Sequence, residues 1–333
     1  MNKTFSLMPQ VTLKDYDIIK SVNWQMLDAK VKEEMGFSGI AIPSVRVGIC
    51  WILEFLGYAR HKNHILVPKY LSRCILNAVN RYALPVEKCT EETTALLSVE
   101  QFGFRQNEQA IVKEAVNRRL VCIEDNASSI GNNEVSGDKS LARVIGFSKV
   151  LPILKGGFLI SQNQEMLGFI KKKRTGKNPG LYSWFIATSL AALRRRIRSV
   201  EYSSLADLAY ESYLSSPSDN RFLLNNFWMG IDKVKIFSGI IKERMAFVLS
   251  VLADKVLYPE SARLSQVLLL PVKNKQAIYQ EVFARNNFDN TPCHFDTNRN
   301  VFNQQFEKCM LIPLNPNIPQ ESFNDLINQL GEI

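Results

Sequence analysis

The first half of the chain alternates between two hydrophobic patterns. Apolar residues recur at helical spacing in some segments and form short, wholly apolar runs in others. Helices that alternate with such strands indicate a mainly parallel sheet with helices on both faces. This α/β architecture binds its ligand at the carboxyl ends of the strands. The predicted helices cover residues 44–59, 70–84 and 109–119, and the predicted strands lie within 64–70, 95–99, 120–125, 142–148 and 156–161.

The pattern changes after about residue 165. Helical spacing dominates residues 181–214, and one long helix is predicted over 225–256. We predict a large domain over 1–235 and a small C-terminal α+β domain over 236–333, since a chain of this length can bury a large core. The last segments are predicted strands at 266–274 and 309–316 and predicted helices at 275–287 and 319–333.

The composition is that of a globular protein, with 46% hydrophobic and 22% charged residues among 333. No apolar run reaches about eighteen residues, so we expect no integral membrane segment. The N-terminus lacks the apolar region of a secretory signal. The six cysteines form no C-x-x-C pair. We therefore expect a reduced, cytoplasmic protein without a disulfide framework.

The net charge of +9 is concentrated in two basic runs, at 171–177 and 194–198. A solvated surface explains such runs, and a phosphate-bearing ligand or an anionic surface is the alternative. The apolar, arginine-ended segment 181–198 is read as a core helix, with attachment to a membrane surface as its alternative. No zinc finger, RNA-binding signature or basic zipper is visible, so we expect no nucleic-acid partner.

Several common catalytic signatures are missing from the chain. There is no G-x-G-x-x-G, no G-x-x-x-x-G-K-[ST] and no G-x-S-x-G. The three histidines, His61, His64 and His294, limit proposals of a triad or a metal site. His61 and His64 have no carboxylate or cysteine close by in sequence, so we expect solvated loop histidines and no metal.

Lys149 stands out because it lies in an apolar stretch, "GFSKVLPILKGGF", before a double glycine. It is either a lysine at a strand end with its head in water, or a desolvated amine that attacks a carbonyl and forms a Schiff base. Asp125 ends another predicted strand. It either caps the next helix or holds a charge on a cofactor ring. Both residues are expected at the carboxyl edge of the sheet.

Pyridoxal phosphate needs this pair of groups, a lysine for its aldehyde and an acid for its pyridinium nitrogen. Its phosphate favours the backbone N–H groups at a helix N-terminus. The segment "SVRVG" (44–48), which opens the first strong helix, is a candidate cradle.

An ordered series of motifs resembles the DegT/DnrJ/EryC1/StrS family of pyridoxal-phosphate sugar aminotransferases, a branch of the fold type I enzymes. The match runs through most of the chain. Its most specific parts are the Glu-Asp strand end and the Lys-x-Leu-Pro segment that precedes Gly-Gly. The motifs are "PSVRVGI" (43–49), "ILVPKYLSRCILNAV" (65–79), "VEQFGF" (99–104), "LVCIEDNASSIG" (120–131), "SKVLPILKGG" (148–157), "DNRFLLNNFWMGIDKVKIFSGIIKER" (219–244) and "LIPLNPNIPQESFNDLI" (311–327).

The resemblance implies a role for three residues at the cofactor ring. Lys149 would be the Schiff-base lysine and the general acid–base of the proton shift. Asp125 would pair with the pyridinium nitrogen. Ser128 falls where the family usually has Gln or His near the ring oxygen.

The resemblance also implies where the phosphate is held. Arg46 and Val47 would lie at the phosphate. Asn220 or Arg221 would reach the phosphate of the neighbouring subunit, because family sites are built at a dimer interface. A homodimer is therefore expected.

The chain departs from the family pattern at several positions. The aromatic that stacks on the ring is replaced, with Ser72 at its position and Tyr70 nearby. The usual His-x-x-Lys spacing is lost, because Ser148 directly precedes the lysine. The His-Tyr-Gly histidine is replaced around Glu100–Gln101, and Ser44–Arg46 replaces a Ser-Gly-Thr type of turn.

The resemblance implies an aminotransferase that acts on a keto-sugar, attached to a nucleotide, with an amino acid such as glutamate as donor. One alternative is another pyridoxal-phosphate enzyme on this scaffold, such as a dehydratase or a non-sugar aminotransferase. Some family dehydratases replace the lysine with histidine, and Lys149 argues against that version. The other alternative is a non-catalytic member that acts as a binding partner.

Overall fold

The computed structural model of the protein describes residues 5, 21–36, 38–130, 140–174, 221–257 and 264–333. The predicted helix at 181–214, the basic run at 194–198 and Asn220 lie outside these residues. The described helices are α1 (Trp24–Met35), α2 (Val45–Phe55), α3 (Arg73–Val79), α4 (Glu108–Asn117), α5 (Gln164–Arg174), α6 (Arg221–Asp232), α7 (Val234–Leu252), α8 (Gln276–Arg285) and α9 (Gln320–Gly331).

A seven-stranded sheet forms the centre of the fold, in the order β1-β8-β7-β5-β4-β2-β3. Strands β7, β5, β4, β2 and β3 are parallel, whereas β8 runs antiparallel to both β7 and β1. The predicted mainly parallel sheet is confirmed. Its strands are β1 (Ile40–Ile42), β2 (His64–Leu66), β3 (Leu84–Val86), β4 (Thr93–Val99), β5 (Val121–Asn126), β7 (Ala142–Gly146) and β8 (Gly157–Ile160).

Helices cover both faces of this sheet because successive strand residues point to opposite sides. On β5, Cys122 packs with Ile111 of α4, while its neighbour Ile123 belongs to the cluster under α2, α3 and α5. Helix α2 lies directly on the strands at Gly48. A Cβ there would lie 2.6 Å from Ile42 Cδ1 and 3.0 Å from Val144 Cγ1, so glycine permits this approach.

The C-terminal residues form an antiparallel three-stranded sheet with the helices α7, α8 and α9. This sheet is tied to the segment after β4, since the Asp296 N–H donates to the Gln101 side-chain oxygen at 3.0 Å. The predicted domain boundary at 235/236 falls in the first turn of α7 and stays a prediction. The three strands are β10 (Val267–Pro271), β11 (Cys293–Asp296) and β12 (Phe306–Pro313), and two short strands, β6 (Ser129–Ile130) and β9 (Leu264–Ser265), pair with each other.

The structure differs from the predicted elements in some places. The single helix predicted over 225–256 is wrong, because α6 ends at Asp232 and α7 begins at Val234. At the break, the Lys233 N–H donates to the carbonyl of Gly230, three residues back, instead of continuing the i−4 ladder. The pattern also gave no prediction of α1, α5, β1, β3, β6, β9 or β11.

The basic run at 171–177 does not lie wholly on a solvated surface, as first interpreted. Arg174, at the end of α5, is buried and donates two hydrogen bonds to the Asp28 carboxylate, at 2.7 and 2.6 Å. It also donates to the carbonyl of Ala41 at 2.9 Å. Its neighbour Lys173 pairs with Glu54. The arginine therefore joins α5 to α1 and β1.

The helices within the described ranges include none that is both long and apolar enough to cross a membrane.

Candidate active site

Two neighbouring parallel strands bring Asp125 and Lys149 to one edge of the sheet. Asp125 is the penultimate residue of β5, which pairs in parallel with β7, and Lys149 follows the end of β7 by three residues. The Lys149 Nζ donates a hydrogen bond to the Ser128 hydroxyl at 3.1 Å. The structure therefore brings together the three residues predicted to act at a cofactor ring.

The carboxyl of Asp125 is almost completely buried, with 2% of the residue exposed. Burial raises its pKa, because desolvation penalises the charged form. The positive charge of Lys149 and a backbone N–H of Ala127 oppose this rise, and the nearby Glu100 adds to it. A cation that contacts this carboxyl would compensate for its desolvation.

Asp125 orients the chain that follows it. Its Oδ1 accepts a hydrogen bond from the Ala127 N–H at 2.9 Å, which forms a local side-chain turn. No helix begins within residues 126–130, where a turn and the short strand β6 follow. The interpretation of Asp125 as a helix cap is therefore wrong.

The first turn of α2 packs against this edge of the sheet. Ser44 caps the helix, and its hydroxyl accepts from the Val47 N–H at 3.3 Å. Gly146, the last residue of β7, makes the contact possible. A Cβ on Gly146 would lie 3.0 Å from Val45 Cγ2 and 3.1 Å from Ala127 Cα. The helix N-terminus thus lies beside the segment that follows Asp125, with its positive dipole end toward the site.

The segment after β4 closes another side of the site. The backbone N–H of Glu100 donates to the Asp125 carbonyl at 3.0 Å. Gly103 has a φ of +88° and comes so close that a Cβ would lie 3.4 Å from the Ser128 carbonyl. Ser265 holds this segment, since its hydroxyl donates to the Phe102 carbonyl at 2.6 Å. These backbone contacts position Asp125 and Ser128.

Comparison with known proteins decides the family. Residues 36–332 match a family model described as "Putative PLP-dependent aminotransferase". The chain belongs to this family. The aminotransferase has no sequence match among curated proteins.

Three solved structures share the fold of this aminotransferase. Helicobacter pylori PseC, an aminotransferase involved in the biosynthesis of pseudoaminic acid, has 13% identity and a TM-score of 0.62 over 99% of both chains. Aminotransferase TlmJ from Streptoalloteichus hindustanus has 14% identity and a TM-score of 0.60 over 92% of this chain and 89% of its own. DesI, in the presence of its TDP-sugar product, has 12% identity and a TM-score of 0.62 over 92% and 83%. The predicted fold type I architecture is confirmed by these structures, and the predicted pyridoxal-phosphate-dependent aminotransferase is confirmed by the family model.

The cofactor of the family is pyridoxal phosphate, and the geometry of the aminotransferase fits it. A lysine amine and a buried carboxyl face the same edge of the sheet, next to the N-terminus of α2. Gly146 lets Val45, at the start of α2, and Ala127, after Asp125, pack closely against the end of β7. These are the groups that the aldehyde, the ring nitrogen and the phosphate require.

The aminotransferase contains a second lysine near the site that the sequence analysis missed. Lys155 precedes the double glycine, and only 4% of the residue is exposed. Burial, with a smaller contribution from the charge of Arg46, lowers its pKa to about 7. The available signal was the same as for Lys149, a lysine within an otherwise apolar segment.

The residues predicted at the stacking position lie on the same edge, two strands away from β5. Tyr70 is 44% exposed and stacks on the ring of His294 at 4.2 Å, with Phe306 edge-on to it. Ser72 is exposed at the start of α3. The Tyr70 ring is thus engaged with the C-terminal sheet, and the contact of either residue with a cofactor stays a prediction.

For the residues predicted at the phosphate, the structure gives their positions in the helices. Arg46 and Val47 lie in the first turn of α2, and the Val47 side chain is buried. Arg221 is the first residue of α6. In the part of the chain that is described, no three His, Cys, Asp or Glu side chains form a cluster that could hold a metal.

Proposed function

We propose that this aminotransferase transfers an amino group from an amino acid such as glutamate to the keto group of a nucleotide-linked sugar. The observation that supports the catalytic assignment is the placement of Lys149 and Asp125 at the carboxyl ends of two adjacent parallel strands. Lys149 and Asp125 are the proposed catalytic residues.

Lys149 is proposed to bind the aldehyde carbon of the cofactor through its Nζ. With the cofactor and the amino donor bound, the free Nζ of Lys149 would take up the proton from the donor's α-carbon and would return a proton at the end of the half-reaction. Pyridoxal phosphate supplies the electron sink that makes this proton acidic. Ser128 accepts a hydrogen bond from the Nζ and so fixes the position of the amine. In the second half of the reaction the same amine moves a proton back to the carbon of the acceptor.

Asp125 is proposed to hold the proton on the ring nitrogen. Because Asp125 is buried, its ionised carboxylate is unfavourable unless a positive charge lies in contact with it. A cationic partner in contact offsets that cost, and the pair then forms a charge-assisted hydrogen bond. The bond from the Ala127 N–H restrains the carboxylate in one orientation.

The phosphate is proposed to bind at the first turn of α2, near Arg46 and Val47. The helix dipole and the backbone N–H groups at this end favour an anion. We also propose Tyr70 or Ser72 near the ring.

The nucleotide-sugar substrate is the less supported part of this proposal. DesI was determined with its TDP-sugar product, and PseC takes part in the biosynthesis of pseudoaminic acid. The net charge of +9 suits a substrate that carries a diphosphate. A dehydratase, a non-sugar aminotransferase and a non-catalytic binding protein are the alternatives.

An absorption spectrum of the purified protein with added pyridoxal phosphate tests the proposal. We expect a band at the blue edge of the visible that borohydride removes and that Lys149→Ala lacks. Lys149→Arg is the matched control, because it keeps the charge without a reactive amine. Glutamate should convert the band to that of the amino form of the cofactor. Conversion that a panel of keto-sugar nucleotides then reverses would support the substrate class.

Other outcomes of this experiment separate the alternatives. A band that no amino acid changes would favour a different pyridoxal-phosphate reaction. A protein without any band would favour the binding partner, and Lys149 would then be an ordinary lysine at a strand end.

We further propose a cytoplasmic homodimer, in which Asn220 or Arg221 of one subunit reaches the phosphate held by the other. All six cysteines are free, as a reducing compartment predicts. Light scattering measures the mass of the assembly. Mixing Lys149→Ala with a variant of Arg221 tests the shared site, since hybrid dimers regain one intact site only if Arg221 acts across the interface.

A further inference from the structure

Lys155 is buried at the opposite end of the same loop as Lys149. It lies directly before Gly156, and Gly157 then starts β8. Its side chain lines a small pocket together with Pro43, Leu224 and Phe227. Pro43 directly precedes Ser44, the cap of α2, so the pocket adjoins the N-terminus of that helix.

The backbone also places Lys155 next to α2. A Cβ on Gly157 would lie 3.5 Å from the Val45 N and 2.7 Å from the Ile145 carbonyl oxygen. The Phe147 N–H bonds to the Gly156 carbonyl at 3.3 Å, which closes the loop that carries both lysines. The first turn of α2 therefore packs onto the strand start that follows Lys155.

Positive features lie near one another at this point of the molecule. Lys155 is buried close to the N-terminal end of the α2 dipole, and Arg46 belongs to the first turn of that helix. The charge of Arg46 lowers the pKa of Lys155, after the larger effect of burial. A multiply charged anion bound here would be attracted by both side chains and by the helix dipole. The phosphate of pyridoxal phosphate is such an anion.

We propose that Lys155 is a further binding residue for the phosphate group of the cofactor, acting together with Arg46 at the N-terminus of α2. This inference rests on the proposed function, which places the cofactor phosphate at that helix. It adds a phosphate ligand from the lysine loop, so that one loop holds the cofactor at both its aldehyde and its phosphate.

The test compares pyridoxal phosphate with pyridoxal, which lacks the phosphate. Equilibrium affinities come from titration of the visible absorbance of the apoprotein. Loss of one charge-assisted contact should weaken binding of pyridoxal phosphate to Lys155→Met by about 10- to 100-fold. Binding of pyridoxal should change by less than about 3-fold, because the removed contact is to the phosphate. Leu224→Met is the matched control, since it alters the same pocket without changing the charge.

Lys155→Gln provides a second variant in case the Met variant does not fold. Equal weakening of both ligands, or no weakening of pyridoxal phosphate, would overturn the proposal. A role of Lys155 in binding the donor's carboxylate is one such outcome, since the affinity ratio of the two ligands would then be unchanged.

A second measurement makes the result independent of the catalytic lysine. In a Lys149→Ala background, inorganic phosphate should raise the melting temperature, and the added Lys155→Met change should reduce this rise. An unchanged rise would contradict the role of Lys155. A visible band that survives Lys149→Ala would instead contradict the proposed function, so the two failures are distinguishable.

Discussion

The Nζ of Lys149 donates a hydrogen bond to the hydroxyl of Ser128 at 3.1 Å, across the carboxyl ends of strands β5 and β7. The two residues are 21 positions apart in the chain, and only the parallel pairing of these strands brings them into contact. The contact places the amine of Lys149 next to the segment that runs from Asp125 to Ser128. It is therefore the geometric basis of the proposed catalytic centre.

Ser128→Ala should slow amino transfer about 10-fold, because the amine of Lys149 loses a hydrogen bond of the kind formed with charged groups. The change removes a single oxygen atom, so the fold should be retained. Steady-state kinetics with glutamate, together with the absorption spectrum, measure the effect. Ser128→Thr keeps the hydroxyl and should retain more activity than the alanine variant. Equal activity of both variants would contradict a role for the hydroxyl.

Asp125→Asn should reduce amino transfer about 100- to 1000-fold while the cofactor still binds to Lys149. The amide keeps an oxygen for the Ala127 N–H but carries no negative charge for the ring nitrogen. Single-turnover absorbance changes with glutamate measure this loss. Glu100→Gln, which removes a negative charge near Asp125, controls for a general change of charge. A variant with wild-type rates would rule out the proposed charge pair.

The same Asp125→Asn change should stabilise the cofactor-free protein at neutral pH. Burial raises the pKa of Asp125 in the folded state, so the folded protein holds a proton there that the unfolded chain has released. Stability contributed by this group is therefore present at low pH and is lost as the pH rises toward the folded-state pKa. Melting temperatures between pH 4 and pH 8 should show a smaller decline for the variant. A parallel decline would contradict this linkage.

The cofactor-free protein should gain stability as the pH rises above about 7, through Lys155. Its folded-state pKa is lowered from 10.5 to about 7, so between these values the unfolded chain binds a proton that the folded protein does not. The free energy of unfolding then rises by at most about 1.4 kcal/mol per pH unit, and below about pH 7 this contribution is flat. Urea denaturation of the wild type and of Lys155→Met between about pH 7 and pH 10 measures how steeply the free energy of unfolding rises with pH in each protein. Identical slopes would show that Lys155 is not desolvated.

Asp28→Ala should destabilise the protein by about 3–5 kcal/mol, because it leaves the buried guanidinium of Arg174 without its carboxylate. Lys173→Met, at the residue directly before Arg174, is the matched control. It breaks the partly exposed pair with Glu54 and should cost less than about 1 kcal/mol. Denaturant unfolding followed by circular dichroism measures both. Similar small losses in the two variants would mean that Arg174 finds another acceptor.

The order of helices and strands could be predicted from the sequence because each element is specified locally. Period and length of the apolar runs distinguish a helix such as 109–119 from a strand such as 120–125, and the structure has α4 and β5 at these places. The break at Lys233 could not be predicted in this way. Residues on both sides of it have helical spacing, and the single hydrogen bond to Gly230 that ends α6 carries no pattern of its own.

The candidate site could likewise be predicted from the sequence only in part. The sequence by itself determined that a lysine lies in an apolar loop before two glycines, and that an acid ends a buried strand. Only the tertiary structure decided that Lys149 meets Ser128, that Arg174 is buried against Asp28, and that Lys155 is buried near the N-terminus of α2. The reason is physical. Hydrophobic periodicity reports which face of an element is buried, whereas the neighbours of a charged group depend on which strands pair and where each helix rests on the sheet.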